Sequence, residues 1–269
     1  MALRFIVMPP LALLLVLASR QRLRIQRRDV PILVVCSACG YGVYQYFWLL
    51  GLAHTTAFAS ALFGSLAPLF TLTIVAMLGQ ERVRSVRWLG AAVALAGIAI
   101  FEGVLSGHAH VRLGDTLTLV AAAIFAWYNV LSAKLLDRYS PLSLVAITLA
   151  IGAVMIVPGG LPALVHTDFA RLTREVWGIL AYAVLFPIVL TYPVWSLGIR
   201  EIGAARVSLF SYFVPIIAGG LSMPLLHATV TAYEAAGAFV CIAGMALATV
   251  FGHHSLTQWW ASRTVSIER

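Results

Sequence analysis

The sequence reads GLAHTTAFASALFGSLAP at residues 51–68 and GIREIGAARVSLFSYFVP at residues 198–215, 147 positions later. These segments begin a longer repeat, because residues 51–100 align with residues 198–247 without a gap. Thirteen of the fifty aligned positions are identical, and most of these are glycine, alanine or proline. Such residues govern backbone approach and helix kinks rather than bulk hydrophobicity, so shared composition does not explain the match. We therefore predict a duplicated structural unit.

The composition indicates an integral membrane protein. Of the 269 residues, 61% are hydrophobic and only 10% are charged, whereas about a quarter of the residues in soluble domains are charged. We predict a multi-pass protein of the inner (plasma) membrane, with the lipid bilayer as its surroundings. The net charge of +8 is divided among short loops without interleaved aromatic residues, so no nucleic-acid partner is expected.

Apolar runs of about 20 residues are long enough to cross a bilayer as helices. The predicted spans are 2–19, 31–53, 55–78, 86–105, 115–135, 141–164, 176–199, 204–226 and 231–251. With loops alternating in side, fourteen of the 18 Lys and Arg residues fall on one side, and the other side holds Arg4, Arg112, Arg171 and Arg174. By the positive-inside rule, we predict that the arginine-rich side and the C-terminus are cytoplasmic.

The 147-residue offset also relates whole spans. It places the first span on the sixth and the second to fourth spans on the seventh to ninth, whereas span 115–135 has no counterpart. A complete duplication would have five helices in each half, so we expect that the first helix of the first half is absent. Because five is odd, the halves cross the membrane in opposite directions, as in many secondary transporters.

The fold class predicted from this pattern is all-α: a polytopic membrane helix bundle of about nine spans, built from two inverted five-helix repeats. The predicted domains are a first repeat at 1–106, a second repeat at 114–251 and a cytoplasmic tail at 252–269.

A recurring set of residues, many of them small, marks both copies. The set is Gly51, Thr56, Ala61, Pro68, Glu81, Trp88, Gly90, Ala96 and Gly97, followed by Gly198, Ala204, Leu209, Pro215, Gly237, Ala243 and Gly244. In this arrangement the chain resembles the EamA-type transporters of the drug/metabolite transporter superfamily. Arg4-Phe5 looks like the entry to their second helix, while His227-Ala228 stands where a second glutamate would be expected. The resemblance implies a ten-helix bundle with a central cavity, alternating access, and export of small metabolites such as amino acids.

The second span carries one aromatic, hydrogen-bonding face. Tyr41, Tyr44 and Trp48 recur at helical spacing beside Gln45, and we predict that this face lines a substrate cavity. The seventh span offers a matching pair, Tyr192 and Trp195. The alternative is that Trp48 and Trp195 belong to an interfacial belt at the membrane surface.

The fifth span contains Trp127-Tyr128-Asn129. An asparagine amide in hydrocarbon needs a partner, so Asn129 either joins two helices or places its neighbours Trp127 and Tyr128 on the cavity wall.

Two prolines occupy equivalent positions in the repeat. Pro68 and Pro215 are predicted to kink their helices, either as hinges or as static bends that shape the cavity. The stripe Gly90, Ala94 and Gly97 predicts close helix packing, within the bundle or at the contact of a homodimer.

No metal or cofactor site is predicted. Cys36, Cys39 and Cys241 all fall in apolar spans and are expected to be packing residues. The acid Glu102 lies near a span end, and Glu234 has capping-box spacing from Thr231. No carboxylate at the middle of a span is therefore available for proton coupling.

We predict a secondary transporter that exports a small organic metabolite, with amino acids as the first candidate. The alternatives are a non-transporting or lipid-flipping membrane subunit and, with least support, a membrane-embedded enzyme, because neither H-E-x-x-H nor G-x-S-x-G occurs in the sequence.

Overall fold

A computed structural model of the protein describes residues 2–21, 23–79, 85–101, 112–167, 169, 172–226 and 230–250. The regular elements in these ranges are all helical, which confirms the all-α class. The α-helices are α1 (Ala2–Ala18), α2 (Val30–Gly40), α3 (Val43–Ala53), α4 (Ala57–Gly64), α5 (Ala67–Met77), α6 (Ser85–Phe101), α7 (Leu113–Leu136), α8 (Pro141–Val165), α9 (Arg174–Phe186), α10 (Tyr192–Ile202), α11 (Ala204–Val207), α12 (Phe213–Leu226) and α13 (Ala232–Val250). Short 3-10 helices lie at Arg27–Asp29 and Ser208–Tyr212, and a π-helix lies at Pro187–Thr191.

Each of the nine predicted spans coincides with one helix or one broken helix in the described ranges. Five segments are long and apolar enough to cross a membrane: Arg27–Ala53, Ala57–Met77, Leu113–Leu136, Pro141–Val165 and Arg174–Ile202. Shorter apolar helices occupy Ala2–Ala18, Trp88–Phe101 and Ala232–Ala248. Glu81, Glu102, His227-Ala228 and the tail at 252–269 lie outside the described residues.

The second span is not the continuous helix that the periodicity of its aromatic residues suggests. It breaks between α2 and α3, where Tyr41 and Gly42 leave helical geometry. Gly40 and Gly42 allow neighbouring helices to come close. An added Cβ would meet the Tyr128 ring at Gly40 and the Met155 sulfur, at 2.8 Å, at Gly42. The break is therefore held by packing between helices, which a hydrophobic profile does not reveal.

The seventh span is also interrupted. A π-helix at Pro187–Thr191 joins α9 to α10, at a point where Pro187 lacks the N–H that a regular α-helix would use. Single π-turns of this kind are frequent at functional sites.

Both prolines that were predicted to kink their helices lie in the first turn of a helix. Pro68 is at the start of α5, directly after a turn at Ser65 and Leu66 that follows α4. Pro215 is the third residue of α12, in its first turn, and α12 follows a 3-10 turn. Whether either proline acts as a hinge stays a prediction.

The predicted cap at the start of the last helix is confirmed. The backbone N–H of Thr231 donates to Glu234 Oε2 at 2.8 Å, and the N–H of Glu234 donates back to Thr231 Oγ1 at 3.4 Å. This reciprocal pair is a capping box, and it accounts for Glu234 as a structural residue.

The helices α6 and α13 form the most extensive helix pair in the described ranges. They run antiparallel, since Gly90 lies against Ala248 and Gly97 against Cys241. The stripe of small residues on α6 is therefore used inside the bundle. Accordingly, this stripe does not supply the contact for a homodimer.

The halves of the chain are interleaved. The helix α7, which opens the second half, packs against α2, α3, α4 and α5 of the first half, and α1 packs along α8. The largest core cluster lies among α1, α2, α7, α8 and α10. This interleaving brings side chains from the second, fifth and seventh spans to one place.

Candidate functional site

Three tyrosines from three spans meet at the break between α2 and α3. The Tyr41 ring stands edge-on to Tyr128 of α7, with ring centres 5.6 Å apart, and to Tyr192 of α10, at 5.2 Å. The hydroxyl oxygens of Tyr41 and Tyr128 are 3.3 Å apart and share a hydrogen bond. Tyr41 and Tyr128 are both almost fully buried. They therefore face protein at membrane depth, as the sequence predicts for tyrosines in a span.

Phe125 is the centre of the ring contacts, and the sequence analysis missed it. Its ring lies 5.0 Å from Tyr44, 5.4 Å from Tyr128 and 6.2 Å from Trp195. Its position three residues before Tyr128 on α7 is the signal that could have found it. We call the six residues that share these contacts the aromatic cluster: Tyr41, Tyr44, Phe125, Tyr128, Tyr192 and Trp195.

Asn129 ties the cluster together across two helices. The indole Nε1–H of Trp195 donates to Asn129 Oδ1 at 3.1 Å. Asn129 is completely buried, and its Nδ2 has no hydrogen-bond partner in the described part of the chain. One side of this amide thus joins α7 to α10, while the other offers an unused donor.

Arg4 is a second residue that the sequence analysis did not place at the site. It was counted with the basic residues of the outer side, and the structure places it in the first turn of α1. Its side chain is half-buried, and its Nε is buried without a hydrogen-bond partner among the described residues. The helix α1 packs against the π-helix that leads into Tyr192. Ser196, one turn beyond Tyr192, is also fully buried, and its Oγ has no partner in the described ranges.

The other sequence candidates divide into near and distant residues. Trp48 contacts Tyr44 with ring centres 6.1 Å apart and packs over Gly64. Gln45 is half-buried beside Tyr44. Trp127 does not join the cluster, because it is 43% exposed and points about 100° around α7 from its buried neighbour Tyr128.

Two polar contacts between the halves of the chain lie beyond the cluster, one toward each end of the bundle, and we call them the ties. At the end that carries the arginine-rich loop, the buried Asp29 pairs with Arg138 at 3.0 Å and accepts a hydrogen bond from the Tyr139 hydroxyl at 3.0 Å. At the opposite end, the Thr55 hydroxyl donates to the buried Asp115 at the start of α7. Each tie joins the first half of the chain to the second.

A groove of about 390 Å³ lies apart from the cluster, between α1 and α8. Its lining is Phe5, Ile6, Pro9, Pro10, Ala150, Ala153, Val154, Val157 and Pro158. None of these side chains can hydrogen-bond, so the groove suits an acyl chain better than a polar metabolite.

The described residues contain no group of His, Cys, Asp and Glu side chains that could hold a metal ion. The three cysteines are free, and Cys36 Sγ lies 3.4 Å from Ser132 Oγ. The chemistry of the site is therefore that of ring faces, hydroxyls, one amide and one guanidinium, which together can bind a small polar molecule with an apolar part.

A helical bundle with several apolar helices long enough to cross a bilayer has the build of a multi-pass membrane protein. The chain matches the EamA-like transporter family over residues 1–102 and 112–250 and belongs to that family. The resemblance to the drug/metabolite transporter superfamily is thereby confirmed. The family consists of multi-pass membrane transporters, so a small-molecule substrate and a bilayer setting follow.

Several known proteins are similar to the chain. The "Probable terminal-alkyne amino-acid exporter" of Streptantibioticus cattleyicolor is 29% identical over 72% of this chain and 65% of its own length. The "Probable amino-acid metabolite efflux pump" of Salmonella typhimurium is 26% identical over 68% of this chain and 64% of its own length. The "Uncharacterized transporter YyaM" of Bacillus subtilis is 26% identical, with 83% of this chain and 74% of that protein covered. In both exporters, the match thus spans just under two thirds of the relative.

One solved crystal structure shares the fold. It superposes with a TM-score of 0.68 over 93% of this chain and 86% of its own, at 20% identity. At this level of identity the likeness supports the fold alone.

Proposed function

We propose that the chain exports amino acids or closely related small metabolites across the inner membrane, and that the aromatic cluster lines the substrate path. The observation that carries the proposal is the meeting of Tyr41, Tyr128 and Tyr192, from three spans and both halves of the chain, at one buried point. In repeat-built transporters, substrates bind near the membrane midplane where the repeats meet, beside interrupted helices. The names of two similar proteins, a probable terminal-alkyne amino-acid exporter and a probable amino-acid metabolite efflux pump, support the substrate class.

The chemistry of the cluster suits such a substrate. The ring faces of Tyr44, Phe125 and Trp195 offer apolar contact area to a side chain. The hydroxyls of Tyr41 and Tyr128 and the amide of Asn129 offer directed hydrogen bonds to its polar end. Membrane-depth polar groups of this kind are expensive unless a partner or a ligand satisfies them.

Alternating access needs parts that can change shape and ties that can open. The helices are interrupted at Tyr41-Gly42, at the turn formed by Ser65 and Leu66, and at the π-helix Pro187–Thr191, and we propose that they bend at these points. The ties are Asp29–Arg138 and Thr55–Asp115, which join the halves toward opposite ends of the bundle. Opening one tie while the other stays closed would expose the cluster to one side at a time.

The proposal includes the repeat boundaries and the orientation of the chain in the membrane. The repeats occupy 1–106 and 114–251, the arginine-rich loops and the C-terminus face the cytoplasm, and Pro68 and Pro215 shape the path. The arginine-rich α1–α2 connection and the α7–α8 loop share one end of the bundle, since Arg138 pairs with Asp29, and this supports the orientation.

The test is efflux from cells that express the chain. Cells are loaded with a mixed amino-acid pool, and mass spectrometry of the medium identifies the solutes that are released. We expect selective release in the wild type and its loss in Tyr44→Ala and Asn129→Ala. Tyr182→Ala is the matched control, because Tyr182 is 63% exposed on α9 and lies outside the cluster. Absence of any selective release by the correctly inserted wild type would overturn the proposal.

A further inference from the structure

The apolar groove between α1 and α8 has one wall from each half of the chain. The two walls run antiparallel. At one end, Ala2 at the start of α1 packs against Gly160 near the end of α8. At the other end, the hydroxyl of Ser140, which caps the start of α8, donates a hydrogen bond to Gln21 Oε1, just after α1, at 2.5 Å. The groove is therefore a recess along the seam where the first half meets the second.

The groove lies at the axis that relates the two halves. Counting five residues inward from the contact of Ala2 with Gly160 brings Val7 opposite Met155, next to Val154. Val154 is 147 positions after Val7 and is its repeat mate. Two helices that are repeat mates bring equivalent residues face to face only where the axis between the halves passes. Two further pairs of repeat mates line the groove: Ile6 with Ala153, and Pro10 with Val157.

This position fixes the depth of the groove in the membrane. The axis of an inverted repeat lies in the plane of the membrane, so the groove is at the bilayer midplane. The hydrocarbon core is about 30 Å thick, which keeps lipid head groups about 15 Å away from this level. The molecules that reach it from the bilayer are therefore the distal parts of acyl chains.

One side of the groove is open to the bilayer. At its mouth Val154 is 75% exposed and Ile6 is 43% exposed, whereas Phe5 and Ala153 are buried in the core and close its floor. The groove is thus continuous with the lipid-facing surface of the protein. Water does not fill an apolar recess of this kind, and an empty one would lose the dispersion contacts of its lining.

We propose that this groove binds the methyl end of a phospholipid acyl chain, held between the two halves of the protein at the bilayer midplane. The inference goes beyond the proposed function and does not depend on it. Packing of the chain against both walls supplies the attraction, because the hydrophobic effect does not distinguish a protein groove from lipid. Since each wall belongs to a different half, the bound chain spaces the halves at their axis.

The test maps the groove with phospholipids that carry a photoreactive diazirine. The purified chain is placed in nanodiscs of phosphatidylethanolamine and phosphatidylglycerol with a small share of diazirine-labelled phosphatidylcholine. In one probe the diazirine lies next to the methyl end of an acyl chain, and in the other it lies next to the glycerol. After irradiation, peptide mass spectrometry measures labelling of the groove residues relative to that of α9, which carries the exposed Tyr182. We expect the methyl-end probe to label the groove and the glycerol-end probe to leave it unlabelled.

Two substitutions fill the groove from different depths. Ala153→Phe places a ring at its floor, and Ala150→Phe places one from an exposed position on α8, where the core is not disturbed. Each should lower the relative labelling by at least about fivefold, the smaller end of the effect of overpacking a filled site. Ala92→Phe is the matched control, because it adds the same ring at an exposed position of α6. It should stay within about twofold of wild type.

The readout is a ratio within each variant, so a lower yield of folded protein does not change it. An unlabelled groove in the wild type, equal labelling by the two probes, or labelling that neither ring reduces would each overturn the inference. A wild-type dimer in native mass spectrometry that becomes a monomer in Ala150→Phe would assign the groove to a second copy of the chain and would also overturn it. None of these outcomes bears on amino-acid export, which the efflux assay tests separately.

Discussion

Gly97 of α6 packs directly against the backbone of Cys241 in α13, with no room for a Cβ between the two helices. The offset of 147 residues turns this pair into Gly244 and Ala94, and these two residues are also in direct contact. The pairs Gly90–Ala248 and Gly237–Phe101 are related in the same way. The last helix of each half therefore meets its own repeat mate about a local two-fold axis, as an inverted duplication requires.

Larger residues at this crossing should destabilise the bundle. We expect Gly97→Val to lower the free energy of unfolding by about 1–3 kcal/mol or more, because the added atoms meet backbone that cannot move aside. Gly244→Val should have a similar effect, since it is the symmetric position. The measurement is thermal unfolding of the purified protein in detergent.

Gly178→Val is the control for that series, because the space around Gly178 in α9 is open. It places the same side chain in a helix without any contact to force apart. Equal destabilisation at Gly97 and Gly178 would mean that the crossing is not the tight point of the fold.

The spans and their duplication could be predicted from sequence because they depend on two strong signals. Apolar length marks the helices, and the repeat of glycines and Pro68 marks the inversion. The break at Tyr41-Gly42 could not, because it depends on contacts with other helices. The π-helix at Pro187–Thr191 could not either, because a proline alone does not specify a π-helix. A uniformly apolar span gives no periodic signal where its backbone departs from α-helical geometry.

The site was predictable in part for a related reason. Polar aromatics at membrane depth indicate protein-facing positions, and Tyr41, Tyr128 and Tyr192 do meet. Phe125 was missed because an apolar ring in an apolar span carries no such signal. Arg4 was missed because the count of basic residues assigned its charge to the outer side, whereas the structure half-buries it in α1, which packs along α8.

The bond from Trp195 to Asn129 should couple the two residues energetically. Interhelical hydrogen bonds in membranes contribute about 0.6–2 kcal/mol, so Asn129→Ala and Trp195→Phe should each lower stability by an amount in that range. The double variant should be less destabilised than the sum of the two single variants. Thermal unfolding of the four proteins gives the coupling free energy, and strict additivity would show that the bond contributes nothing.

The Asp29–Arg138 tie should matter more than its exposed neighbour. Asp29→Asn removes a charge that is 2% exposed and paired with Arg138 at 3.0 Å, and we expect a loss of about 1–3 kcal/mol in stability. Arg28→Gln is the matched control, because the Arg28 side chain is 69% exposed and 4.0 Å from Asp29. It should change stability by less than about 0.5 kcal/mol. Equal effects of the two substitutions would argue against a specific tie.

Substitution by leucine should reduce transport strongly at Tyr128 and only slightly at the adjacent Trp127. Tyr128→Leu removes a buried ring from the contacts with Tyr41 and Phe125 and deletes the hydroxyl that bonds to Tyr41. We expect transport to fall by about tenfold or more, since a free energy of about 1.4 kcal/mol corresponds to a factor of ten. Trp127→Leu changes a ring that is 43% exposed into another lipid-compatible side chain, so transport should stay within about twofold of wild type. The efflux assay measures both variants at matched membrane abundance. A larger loss in Trp127→Leu than in Tyr128→Leu would place the substrate path on the face of α7 that carries Trp127 and remove the aromatic cluster from it.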